Sequence, residues 1–210
     1  MPPLEHVIPL FLILLFSLSV HEAAHAWTAD RLGDPTARQL GRITLNPMAH
    51  IDWIGTVLFP LIALISHVPL LGWAKPVPVD PRNLRQPRRD FALVAAAGPI
   101  SNLILAVLAA VLFRVLLVNG GISALQTARW FAEGAILNIT LAVFNLIPVP
   151  PLDGGNVAMG LLPAGAAHAI AQLRPYGFLI LYALMFTGVL SDILIPIVDA
   201  IAGALMPAVL

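Results

Sequence analysis

His21, Glu22 and His25 have residue types and a spacing that could do chemistry. Four residues of α-helix turn through about 400°, so His21 and His25 stand one above the other on one helix face. Two imidazoles so placed can hold one Zn²⁺, with Glu22 beside them as general base toward an activated water. The stretch from Val7 to Val20 that precedes them carries no Asp, Glu, Lys or Arg. The spacing and its setting together predict hydrolytic chemistry inside a membrane.

Blander readings compete. HExxH is a short pattern, and a histidine in an apolar helix is commonly a hydrogen-bonded structural group. Three ionisable groups together in a membrane span are costly, however, and usually functional. The first residues could instead be a secretory signal cleaved near Ala24-His25-Ala26. Against that, the residues before the apolar run include Glu5 and His6 but no Lys or Arg.

Hydrophobic residues make up 59% of the chain and charged residues 10%, with a mean hydropathy of +0.91. These values predict an all-α polytopic membrane protein forming a single membrane-embedded domain over residues 1–210. The expected architecture is a bundle of about five to six transmembrane or re-entrant helices with a small β-strand element after the first. The balanced charge argues against nucleic acid as a partner. Without Cys there are no disulfides or thiolate ligands, so any metal must be held by His, Asp or Glu.

Helix A is expected from about Val7 to Asp30, with Trp27 as an interfacial anchor. Arg38 to Leu45 reads as a short strand stopped by Asn46-Pro47. Segment B, Trp53 to Trp73, is apolar but broken by Gly55, Pro60, Pro69 and Gly72. A proline-rich loop, Lys75 to Asp90, leads to helix C, about Phe91 to Val118, whose Ala95-Ala96-Ala97-Gly98 would let a neighbouring helix approach closely. Helix D runs from about Gln126 to Leu146, helix E from about Arg174 to Leu190, and a last apolar stretch from Ile193 to Leu210. Arg31, Arg38 and Arg42 lie in one loop and Lys75, Arg82, Arg85, Arg88 and Arg89 in another. The positive-inside rule puts both on the cytoplasmic side, so segment B should be re-entrant or bent.

A catalytic zinc site usually has three protein ligands and an open position. Most acidic residues flank apolar segments, where solvated charges are expected. Asp153 instead follows Asn145-Leu146-Ile147-Pro148-Val149-Pro150-Pro151-Leu152 and precedes Gly154-Gly155. From those residues alone it could equally be a loop aspartate capping the next helix.

HExxH in a first apolar helix, with Asn-x-x-Pro-x-x-Pro-Leu-Asp-Gly-Gly far downstream, resembles the site-2 protease family of intramembrane zinc metalloproteases. The likeness extends over Gly41-Arg42-Ile43-Thr44-Leu45-Asn46-Pro47, Gly72-Trp73-Ala74-Lys75-Pro76-Val77-Pro78-Val79 and Ala97-Gly98-Pro99-Ile100-Ser101-Asn102. The resemblance implies one Zn²⁺ bound by His21, His25 and Asp153, with Glu22 activating water and Asn145 near the site as an oxyanion donor. It implies a multi-pass protein of the cell membrane whose active site lies near the cytoplasmic side and whose substrate is another protein's transmembrane helix. Such a helix must unwind before attack, and an edge near Arg38–Leu45 could hold it by strand addition. A PDZ or CBS domain, present in many members, is not apparent, and homo-oligomerisation stays open. A metal transporter using the same histidines is the alternative, but transit needs no general base such as Glu22. A catalytically dead scaffold would be expected to lack one of these four residues.

Overall fold

The computed structural model describes residues 4–66 and 72–206. The protein is built from helices, and among the described residues there is no strand. Helix α1 (Leu4–Arg31) is followed by the single turn α2 (Thr36–Gln39). Segment B opens as a π-helical stretch, Trp53–Leu58, and continues into α3 (Phe59–Ser66). Then come α4 (Pro87–Asn119), α5 (Leu125–Asn145), α6 (Asp153–Leu161) and α7 (Ala164–Gln172). The last two helices are α8 (Gly177–Phe186) and α9 (Val189–Leu205).

Among the described residues three stretches are long and apolar enough to cross a bilayer: His6–Arg31, Pro87–Asn119 and Ala164–Phe186. The five to six helices expected include re-entrant ones, and shorter helices accompany these three. Helix α5 falls short because Arg129, Glu133, Asn138 and Asn145 dilute its apolar content, and α9 is shorter than a typical span. Helix α4 rises about 50 Å, more than the ~30 Å hydrocarbon core. Its start is defined by Pro87 at the first helical position and by the Asp90 carboxylate, which accepts the Gln86 N–H at 2.8 Å. Helix α5 packs along α4 and also touches α1 and α9. Between them lies the apolar core of Ala106, Ala110, Phe113, Ala135, Ile139 and Val198. The many alanines there bring the helix backbones close together.

The strand expected over Arg38–Leu45 is not formed. The Gly41 N–H bonds to the Arg38 carbonyl and the Arg42 N–H to the Ala37 carbonyl, with Gly41 at φ 67°. This left-handed glycine closes α2 and spends residues 38–42 on a helix end rather than a ladder. Helix E is also divided. Gly188, at φ 81°, separates α8 from α9, and the apolar stretch expected from Ile193 begins at Val189 instead. Pro69 and Pro207 lie outside the described residues.

Segment B leaves where it enters. The Trp73 N–H donates to the Gly55 carbonyl at 3.2 Å, and the Lys75 N–H to the His50 carbonyl at 2.8 Å. The two flanking loops are stapled together on that side by Asp34. Its Oδ2 accepts the Asp80 N–H at 2.7 Å, and its Oδ1 accepts from the Asn83 amide and the Thr36 hydroxyl. Burial pushes the Asp34 carboxyl up, but hydrogen bonds from Thr36, Asn83 and Asp80 outweigh it and hold it below the usual carboxylate range. This staple is therefore complete above the ordinary carboxylate pKa and is lost as pH falls through the lowered value. Single cysteines replacing Gln39 and Arg85, both exposed, are expected to react alike with a membrane-impermeant thiol reagent on intact cells. Labelling of one alone would overturn the shared side.

Candidate metal centre

Helix α1 presents His21 and His25 toward α4 at Gly98, where any β-carbon would collide with both imidazole Nε2 atoms. Glycine is thus required for α4 to pass this close. Gly98→Ala is expected to displace the imidazoles and cut metal affinity by at least about tenfold, read by metal titration. Wild-type affinity in that variant would contradict the packing.

Asp153 reaches the same point as the first residue of α6. The turn before it is tight: Leu152 N–H bonds to the Val149 carbonyl and Gly155 N–H to the Leu152 carbonyl, both at 3.0 Å. Gly154 lies against the Leu146 and Ile147 carbonyls, and Gly155 against Pro150, with no room for side chains. The far end of α6 is fixed to α4. Arg88 donates to the carbonyls of Met159 and Leu162, which α6 itself leaves without partners, and Gly160 rests on Ala92.

Three donor atoms converge as a result. His21 Nε2 and His25 Nε2 are 3.0 Å apart, and Asp153 Oδ2 lies 3.1 Å from the first and 3.4 Å from the second. A tetrahedral zinc with bonds of about 2.0–2.1 Å has ligand–ligand edges of about 3.4 Å. The donor set therefore fits one face of a zinc tetrahedron.

The other imidazole nitrogens fix the tautomers. His25 Nδ1 lies 2.7 Å from the Val94 carbonyl, which can only accept, so Nδ1 carries the proton and Nε2 the lone pair. His21 is fixed through a longer relay. Asn138 Nδ2 donates to the Gly134 carbonyl and to Ser17 Oγ, each at 2.9 Å, so its Oδ1 faces Asn102 Nδ2 at 2.9 Å. Asn102 must then turn its Oδ1 to His21 Nδ1, 2.6 Å away. Both Nε2 lone pairs point at the common centre. Asn102 and Asn138 are buried, and the relay ties α1, α4 and α5 together behind the histidines.

Glu22 is buried beside them, and its Oε2 accepts the Val77 N–H at 2.9 Å. All four residues line a cavity of about 790 Å³ whose walls include Phe59, Trp73, Phe178 and Tyr182. Trp73 packs on Phe59 and Phe178, with ring centroids 5.1 and 5.7 Å away. Asn145 lines this cavity too, with one amide N–H bonded to the Leu141 carbonyl at 2.9 Å. Trp27 is exposed, with the Arg31 guanidinium over its ring, as an interfacial residue would be.

Residues 9–129 and 114–188 match Peptidase family M50, the site-2 protease family. This chain belongs to that family. The M50 chain is 38% identical over 202 residues to "Putative zinc metalloprotease YwhC" of Bacillus subtilis (strain 168), covering 94% of this chain and 89% of the relative. It is 32% identical over 195 residues to "Putative zinc metalloprotease Rip2" of Mycolicibacterium smegmatis, covering 90% and 72%. No solved structure gives a significant match. The protein is a multi-pass membrane metalloprotease with zinc as its cofactor.

Sequence reasoning named His21, Glu22, His25, Asp153 and Asn145, and the structure brings all five to one cavity. It gave no role to Asn102, Asn138, Ser17 or the Val77 amide. A signal was present for one of these. Gly98 and Asn102 are four residues apart and so share a helix face, where a polar side chain in an apolar span demands a partner.

Proposed function

We propose that this M50 peptidase hydrolyses peptide bonds within or near transmembrane helices of membrane-protein substrates, at a zinc held by His21, His25 and Asp153. The observation that carries this reading is the convergence of these donors with Glu22 beside them: His21, Glu22 and His25 stand on α1, a helix apolar enough to span a bilayer, and Asp153 meets them from the start of α6. Bound there, zinc supplies Lewis acidity, which makes water easier to deprotonate and polarises the scissile carbonyl. Glu22 takes the proton as the peptide bond is attacked and returns it to the departing amine. The second N–H of Asn145 is available to the carbonyl oxygen as it gains charge. The aromatic walls of the cavity suit apolar side chains of an unwound helix.

His21 lies six residues before Trp27, about 9 Å along the helix axis. The reaction would therefore proceed below the membrane surface. The basic loops 31–52 and 73–90 favour the cytoplasmic side of the cell membrane.

Cleavage of a model single-span substrate by the protein reconstituted in vesicles tests the proposal. Cleavage inside the span is expected, abolished by a zinc chelator and restored by added zinc. Chelator-insensitive cleavage, or cleavage confined to soluble peptides, would overturn it.

A further inference from the structure

Residues 72–80 lead from segment B toward α4 as a strap without regular secondary structure, and Trp73, Ala74, Pro76, Val77 and Val79 line the cavity of the metal centre. Alternate residues 73, 75 and 77 turn their N–H groups to other parts of the chain. Trp73 N–H donates to the Gly55 carbonyl, Lys75 N–H to the His50 carbonyl, and Val77 N–H to Glu22 Oε2. Clamps lie on both sides of Val77. On one, the buried Arg42 guanidinium donates to the Lys75 carbonyl at 2.6 Å. On the other, the Asp80 N–H donates to the buried Asp34 carboxylate at 2.7 Å.

Between the clamps the sequence is Pro76-Val77-Pro78-Val79. Proline has no N–H, so across residues 76–78 the strap offers a single donor. Proline also holds its own φ near −65° and keeps the residue before it extended. The donor is therefore single, stiffly mounted and aimed at one carboxylate oxygen. Among the described residues Glu22 Oε1 receives no hydrogen bond, so one oxygen is tethered and the other is left for proton transfer. A carboxylate on a freely rotating side chain would not keep those two roles apart.

We propose that the backbone N–H of Val77 is a positioning group for the general base, with residues 72–80 serving as the frame that holds it. The proposal rests on the reading of Glu22 as that base. The strap acts on catalysis through carboxylate orientation, and among the described residues it makes no hydrogen bond to the three metal donors. Its loss should lower turnover while leaving metal binding alone.

Val77→Pro tests this with little disturbance, because the flanking prolines already hold the segment extended and the substitution removes one N–H. Val77→Ala makes the companion variant, trimming the side chain but keeping the N–H. In the reconstituted full chain, Val77→Pro is expected to lose at least about tenfold more kcat than Val77→Ala, with KM and zinc stoichiometry close in the two. Equal kcat values would overturn the proposal, and so would a loss confined to KM. Glu22→Gln run alongside separates the two ideas. If that variant turns over substrate, the base assignment has failed; if it is inactive while the two Val77 variants match, only the strap's role has failed. Should Val77→Pro not fold, hydrogen exchange in Glu22→Ala decides. Faster exchange at the Val77 amide by at least about tenfold supports the bond, and unchanged exchange overturns it.

Discussion

Replacing Glu22 by Gln is expected to abolish proteolysis while leaving zinc and fold in place. General base catalysis contributes about 10²–10⁴-fold in rate, so the loss should be of that size. Gln matches Glu in length, and its amide oxygen can still accept the Val77 N–H, so the cavity wall is preserved. Among the described residues Glu22 makes no hydrogen bond to either histidine or to Asp153, so metal content should stay stoichiometric. Single-turnover cleavage of a transmembrane substrate, paired with metal analysis, checks both halves. Turnover within tenfold of wild type would remove Glu22 from the mechanism.

Asp153→Ala should have the opposite signature, losing zinc and activity together. Removing a residue that merely supports a ligand costs about 10–100-fold in metal affinity, and removing a ligand should cost more. The fold should survive. Helix α6 is held by Arg88 at its far end and by the close fits of Gly154, Gly155 and Gly160, none of which uses the Asp153 carboxylate. Competition against a chelator of known affinity measures the loss, and thermal unfolding of the metal-free proteins measures the fold. Stoichiometric zinc with full activity in Asp153→Ala would show that the third ligand lies elsewhere.

The two variants draw on unequal amounts of information in the chain. His21 and His25 could be paired from sequence because an α-helix fixes the geometry of residues four apart, and the apolar run around them left little doubt that the segment is helical. The positive charge of the loops likewise placed both on one side, and segment B does return to its point of entry. Proline and glycine marked the limits of helices C and D to within a few residues, and the structure has them at Pro87–Asn119 and Leu125–Asn145.

Other features depended on contacts that no local pattern encodes. Arg38–Leu45 alternates like a strand, but a strand needs a partner. Gly41 in the left-handed region and the inward-facing Arg42 give this segment other bonds. Helices α6 and α7 are short and rich in Gly and Ala, so their periodic signal is weak; packing of Gly160 on Ala92 gives α6 its place. Asp153 read equally as a capping residue, and only the approach of α6 to α1 brings its Oδ2 to 3.1 Å from His21.

The sequence by itself determined the chemistry on offer: an imidazole pair with an adjacent carboxylate on one helix, set in a chain too apolar for water. Those properties follow from residue identity and the fixed pitch of the helix, so they need no tertiary contact. The fold decided which atoms do the work. Asn138 and Asn102 select the His21 tautomer, Val94 selects that of His25, and Val77 holds one oxygen of Glu22. Each is a hydrogen bond between residues more than thirty apart in sequence. Such bonds depend on direction and on tenths of an ångström, which packing supplies and composition does not.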